Sequence, residues 1–139
     1  MQENEVKTEI VIAAAPDDVW RVLVDFAAYA EWNPVMEYLA VSGTKTKVRA
    51  AKGTPAERDF DGEITSMEPH VLRSQGGDPA LFFGRHRWEL HEHGSGTRLV
   101  NAESFSGPMV QAVLDQTRDV LVAEFDAFNA ALKARAESL

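Results

Sequence analysis

The sequence predicts an α+β chain in which a curved antiparallel sheet of about seven strands wraps around one long C-terminal helix, with two short helices after the first strand. Three observations predict it. Extended segments from Met36 to Phe105 are separated only by short turn signals, so consecutive strands connect as an antiparallel meander. A single apolar stripe at helical spacing fills the last third of the chain. One strand and two short helical segments stand in front of the meander.

The first strand is Val6 to Ile12, where Val6, Thr8, Ile10 and Ile12 share one face and Lys7, Glu9 and Val11 the other. Pro16 follows Ala13-Ala14-Ala15, and Asp17 and Asp18 come next. A proline in the first turn loses no needed N–H, and acids there suit the positive end of the helix dipole. The first helix is therefore expected from Pro16 to about Phe26, burying Val19, Trp20, Leu23 and Val24. A second short helix, Ala27 to Glu31, ends ahead of Asn33-Pro34, because the residue before a proline avoids the helical region.

Six extended segments follow: Met36 to Val41, Lys45 to Ala51, Arg58 to Met67, Val71 to Gln75, Phe82 to His91 and Arg98 to Phe105. Turns are expected at Ser42-Gly43, Lys52-Gly53-Thr54-Pro55, Glu68-Pro69, Gly76-Gly77-Asp78-Pro79 and Gly94-Ser95-Gly96. Gly107-Pro108 opens the last helix, from about Met109 to Ala134. Its stripe is Val110, Leu114, Thr117, Leu121, Phe125, Phe128 and Leu132, and Asp115, Arg118, Asp119, Asp126 and Lys133 fall off it. At ~1.5 Å per residue this helix is ~39 Å long. That is the full diameter of a domain whose radius of gyration is about 14 Å. The helix must lie along the sheet, the sheet must curve around it, and the first strand is expected to close the far edge. Such a sheet cannot fill the space inside with its own side chains, so an internal cavity is expected.

Composition narrows the function. The 139 residues fit a single domain spanning 1–139. Lys and Arg number 14 against 22 Asp and Glu, and the net charge of −8 argues against nucleic acid and against an anionic membrane surface. The chain has no cysteine, which removes disulfides, thiolate metal sites and cysteine nucleophiles. No apolar run approaches the ~18 residues that span a bilayer, so no membrane insertion is expected. The polar opening Met1 to Thr8, with Glu3 and Glu5, lacks the pattern of a signal peptide, and a cytoplasmic chain is expected. No glycine-rich phosphate loop precedes a helix and no G-x-S-x-G elbow exists. His91 and His93 have metal-like spacing, but they sit at a hairpin end without a third ligand and read as exposed histidines. No metal and no cofactor is expected.

The stretch from Glu9 to Trp20, followed by Phe26, Tyr29 and Trp32-Asn33-Pro34, is similar to the START-like, helix-grip (SRPBCC-type) superfamily. So are Gly84-Arg85-His86-Arg87-Trp88-Glu89-Leu90, Gly96-Thr97-Arg98-Leu99 and Glu103-Ser104-Phe105-Ser106-Gly107. More narrowly, the chain resembles the bacterial polyketide cyclase/dehydrase and lipid-transport group over nearly its whole length. The resemblance implies the helix-grip fold and a pocket bordered near Trp32 and Asn33. It does not choose among lipid carriers, hormone receptors, aromatase/cyclases, oxygenase domains and chaperone cofactors.

The candidate residues come from strand parity. Gly84, His86, Trp88 and Leu90 share the inward face, as do Leu99, Asn101, Glu103 and Phe105. An inward His86, Asn101 and Glu103 make either a satisfied buried network, with Glu103 tied to His86 or Arg58, or an acid–base pair. Arg58 and Phe60 share a face with Ile64, which brings Arg58 toward the mouth. There it either holds a carboxylate or phosphate or covers the sheet edge with its stem. Trp32 and Asn33 are either a packing corner or one end of the cavity. Leu114 and Thr117 are expected to contribute from the long helix, flanked by Met109, Val113 and Val120.

The expected function is binding of a small hydrophobic or amphipathic molecule, of lipid, polyketide or aromatic type, between the sheet and the C-terminal helix. The expected lining is Trp32, Asn33, Arg58, Phe60 and His86, with Trp88, Asn101, Glu103, Leu114 and Thr117. The alternative is a cofactor-independent cyclase/dehydratase with His86 and Glu103 as catalytic proton-transfer groups. A second alternative is a protein-interaction role using Ala80-Leu81-Phe82-Phe83, a run that otherwise reads as a gate over the cavity. The chain is expected to be a monomer or homodimer.

Overall fold

In the computed structural model residues 4–139 are described, and residues 1–3 of the polar opening stretch lie outside the described residues. The elements run β1 (Glu5–Ile12), α1 (Pro16–Leu23), a 3₁₀ turn (Phe26–Ala28), α2 (Tyr29–Trp32), β2 (Met36–Ser42), β3 (Lys45–Ala50), β4 (Arg58–Glu68), β5 (Val71–Asp78), β6 (Phe82–His93), β7 (Gly96–Ser106) and α3 (Val110–Glu137). The strands form one sheet in the order β1-β7-β6-β5-β4-β3-β2. β2 to β7 pair with their neighbours in sequence, and β1 closes the far edge by pairing antiparallel with β7, as the element order predicts. No helix among the described residues is long and apolar enough to cross a membrane.

Three boundaries differ from expectation by three residues each. α1 stops at Leu23 because the chain turns tightly there, and the buried Tyr29 hydroxyl donates to the Leu23 carbonyl at 2.5 Å. That bond satisfies an acceptor the helix end leaves open. The buried stripe of α1 also includes Val22, while Trp20 and Val24 are only half-buried. Gly76-Gly77-Asp78 belongs to β5 rather than to a turn, which lies one step later and closes through Leu81 N–H to the Asp78 carbonyl at 2.9 Å. The glycines serve close approach: a Cβ on Gly77, whose φ is +109°, would collide with the Phe82 carbonyl. α3 extends past Ala134 because Ala136 is buried in the core and the Glu137 carboxylate accepts the Ala13 N–H at 2.7 Å.

The main core joins α1, α2 and the C-terminal half of α3 to the sheet through Val19, Leu23, Tyr29, Trp88, Leu99 and Leu132. A smaller cluster of Val6, Phe105, Leu114 and Phe125 holds the middle of α3 to β1 and β7. α3 packs along β1 and β7 and against α1.

Candidate functional site

The space between α3 and β2–β7 is a cavity of about 510 Å³. Sites for small molecules span roughly 300–1,000 Å³. One feature of its lining is visible in the register. Gly62 pairs with Gly76, and Gly76 with Gly84, so three glycines stand side by side across β4, β5 and β6. Without Cβ atoms this row lets neighbouring side chains lie directly against the backbone. The Phe60 ring lies over it, with ring carbons 3.6 Å from where a Gly76 Cβ would sit. At Gly84 the open space is taken by the Glu103 carboxylate, which a Cβ would overlap. The walls are mostly apolar: Tyr38, Val48, Ile64 and Trp88 from the sheet, Phe125 and Phe128 from the helix.

The imidazole and the charged side chains of the lining gather at two places. Deep in the cavity, His86 stacks on Trp88 with ring centroids 3.8 Å apart and planes within 6°, and the Phe125 ring lies 4.9 Å away. His86 Nε2 is 2.6 Å from Asn101 Oδ1, and His86 Nδ1 is 3.4 Å from Glu103 Oε1. Cross-strand pairing brings these groups together, since His86 stands opposite Glu103 on β7 and opposite Ser74 on β5. The second place holds Arg58 and Glu124, beside Phe60 and Val120, which are 40% and 54% exposed. Burial raises the Glu124 pKa from its ordinary value, and the Arg58 charge offsets part of the rise. Burial also holds the Tyr38 phenol far above its ordinary pKa, so Tyr38 meets the cavity as a neutral hydroxyl.

Of the sequence-predicted residues, the structure brings Arg58, Phe60, His86, Trp88, Asn101, Glu103 and Thr117 to one cavity wall. Glu103 meets His86, the first of its two expected partners. Trp32, Asn33 and Leu114 lie off the wall. Trp32 packs behind it, its ring 4.8 Å from Tyr29 and 5.9 Å from Phe128. Asn33 is a buried corner whose Oδ1 accepts the N–H groups of Val35 and Met36 at 2.9 and 3.0 Å. Leu114 is 1% exposed and packed in the cluster with Val6 and Phe105. Of the flank beside the stripe, Val113 and Val120 do reach the cavity, whereas Met109 is exposed. His91 is exposed and meets Glu89 across 3.1 Å on the outer face of the hairpin.

Tyr38, Glu124, Asn129 and the glycine row escaped the sequence reading. Extending the flank Val113, Thr117, Val120 by one more helical step reaches Glu124, so that signal was present. Asn129 sits four residues after Phe125 and three before Leu132, a polar side chain on a buried stripe. Buried polar groups need partners, and that position pointed to a network.

A long helix gripped by a curved seven-stranded antiparallel sheet, with a largely apolar cavity between them, defines a helix-grip protein. The chain belongs to the polyketide cyclase/dehydrase and lipid transport family, which it matches over residues 3–137. No curated protein matches it significantly. Solved structures share the fold. The Zhui aromatase/cyclase from Streptomyces sp. R1128 is 20% identical with a TM-score of 0.71, over 96% of this chain and 93% of that one. A START superfamily protein from Mycobacterium smegmatis is 18% identical with a TM-score of 0.70, over 96% and 97%. A STAR-related lipid transfer protein from Xanthomonas axonopodis is 20% identical with a TM-score of 0.65, over 96% and 85%.

Proposed function

We propose that residues 1–139 act as one ligand-binding domain that holds a small hydrophobic or amphipathic molecule in the cavity. The carrying observation is a cavity of about 510 Å³ with mostly apolar walls, into which His86, Asn101 and Glu103 bring polar groups at one place and Arg58 and Glu124 at another. Burial against such walls supplies affinity at ~25 cal/mol per Å² of apolar surface. The polar groups set the ligand's orientation. The family description and the aromatase/cyclase and lipid transfer names among the structural relatives support the same reading. Native mass spectrometry of the purified protein, followed by denaturation and identification of the released molecule, tests it. A stoichiometric lipid or aromatic compound is expected, or tight uptake of a hydrophobic fluorescent probe if the protein is empty. An empty protein that also excludes such probes overturns the reading.

One observation favours a second reading, a cofactor-independent cyclase or dehydratase acting on a polyketide-like or aromatic substrate. The His86 imidazole and the Glu103 carboxylate face each other across 3.4 Å on the cavity wall, within reach of a bound molecule. A positioned imidazole of this kind can take a proton from a substrate carbon or return one to a leaving hydroxyl. His86→Gln is then expected to abolish turnover while lowering affinity by no more than about tenfold, the worth of one hydrogen bond.

A further inference from the structure

A buried chain of hydrogen bonds gives His86 a fixed direction. It starts at the backbone carbonyl of Asn101, which can only accept. The Thr8 hydroxyl, 3.1 Å away, commits its one proton there. Thr8 Oγ1 must therefore accept from Asn129 Nδ2 at 2.8 Å. That orients the Asn129 amide, whose Oδ1 accepts from Asn101 Nδ2 at 2.9 Å. The Asn101 amide is oriented in turn, and its Oδ1 faces His86 Nε2 at 2.6 Å. His86 Nε2 must be the donor. Thr8, Asn101 and Asn129 are 8%, 1% and 1% exposed and come from β1, β7 and α3, so the order is built into the packed core.

The other ring nitrogen is the one left for the cavity. In the neutral ring Nδ1 then keeps its lone pair, and it faces Glu103 Oε1 at 3.4 Å. A charge-assisted N–H···O⁻ bond closes to about 2.7–2.9 Å, and this pair stands wider than that, with space for a group of the ligand to engage either atom. Gly84, by lacking a Cβ, makes the room in which the Glu103 carboxylate lies.

We infer that this end of the cavity recognises a hydrogen-bond donor on the ligand, a phenolic or aliphatic hydroxyl that donates to His86 Nδ1 or to Glu103. Asn101, Asn129 and Thr8 are positioning residues that hold the acceptor edge of the imidazole toward it. The inference rests on the cavity being a ligand site and names the chemistry it selects. An ether or ketone of the same shape brings only acceptors, and leaves these two unpaired in a desolvated place.

Two measurements test it. Long-range ¹H–¹⁵N correlation spectra in mildly alkaline buffer report the tautomer of each neutral histidine without any ligand. His86 is expected as the Nε2–H form in the wild type, and as a mixture in Asn129→Leu or, should that variant not fold, in Thr8→Val. Binding of 2-naphthol and 2-methoxynaphthalene, a matched pair, then reads the selectivity. The wild type is expected to prefer the naphthol by ~tenfold, the worth of about one hydrogen bond, and the preference is expected to shrink in the same variants. An Nδ1–H tautomer in the wild type, or equal affinity for the two probes, overturns this inference and leaves the cavity reading standing. Failure of both probes to bind, together with other hydrophobic probes, overturns the cavity reading and this inference with it.

Discussion

The two halves of α3 share one helical period and do opposite work. From Phe125 onward the helix buries Phe125, Phe128, Asn129, Leu132 and Ala136. Before Phe125 only Leu114 is buried, and Val113, Thr117, Val120 and Glu124 border the cavity. The difference lies in what stands opposite. α1 packs against α3, with Val19 and Leu23 in the same core cluster as Phe128 and Leu132. Beside the first half, the sheet offers the row Gly62, Gly76 and Gly84. A helix anchored firmly over one half of its length can leave the other half's apolar side chains for a ligand.

Truncation should expose this asymmetry most strongly. Leu132 is 0% exposed, so Leu132→Ala leaves a closed void and is expected to cost about 3 kcal/mol in denaturant unfolding. Leu121 already borders open space, so Leu121→Ala is expected to cost ~1 kcal/mol or less, because the removed atoms had fewer neighbours to lose. Equal costs would break the comparison, showing both halves to be equally packed.

Filling is the converse. Thr117 lies on the cavity wall and donates its hydroxyl back to the Val113 carbonyl at 2.7 Å, a bond that helps the helix little. Thr117→Phe places a ring in the cavity without displacing a packed side chain. It is expected to shift Tm by only a few degrees and to lower affinity for a hydrophobic probe by about tenfold or more. Trp32→Phe should do the reverse, costing stability behind the wall while leaving probe affinity within about twofold of the wild type. Should Trp32→Phe weaken binding as strongly as Thr117→Phe, the cavity would have to reach behind Phe128.

How much of this was legible in the sequence depends on the kind of signal. Element order, strand parity and the α3 stripe are periodic, and they put His86, Asn101 and Glu103 on one inner face. Which side of the α3 stripe meets the cavity is not periodic information. Leu114 and Thr117 belong to the same stripe, and only the packing of Leu114 against Val6 and Phe105 separates them. The glycines were ambiguous for another reason. A glycine permits a turn and also permits close approach, and Gly76-Gly77 next to Asp78-Pro79 reads as the first while serving the second. Trp32-Asn33 reads in the sequence first as a packing corner and second as a pocket end, and the Asn33 hydrogen bonds to Val35 and Met36 make it a corner. Thr8 and Asn129 carried the clearest unread signal, since each is a polar side chain on an otherwise apolar face.

The smallest expected effect concerns the charge on the open half of α3. Burial raises the Glu124 pKa, with Arg58 opposing the rise. The folded chain therefore holds this proton more tightly than the unfolded chain does. As pH climbs from the ordinary carboxylate range through the raised value, folding must give up that advantage, so stability falls across this window and stays lower above it. Below the ordinary range the carboxyl is protonated in both states and the term vanishes. Glu124→Gln keeps the shape and removes the titration. Its Tm should match the wild type in acid and exceed it at neutral pH, by a degree or two at most because water still screens the site. Arg58→Gln should widen the pH window over which wild-type stability falls, since the opposing charge is gone. A Tm difference between Glu124→Gln and wild type that did not change with pH would mean that Glu124 is as well solvated as a surface carboxylate. The first half of α3 would then face solvent rather than a sheltered cavity.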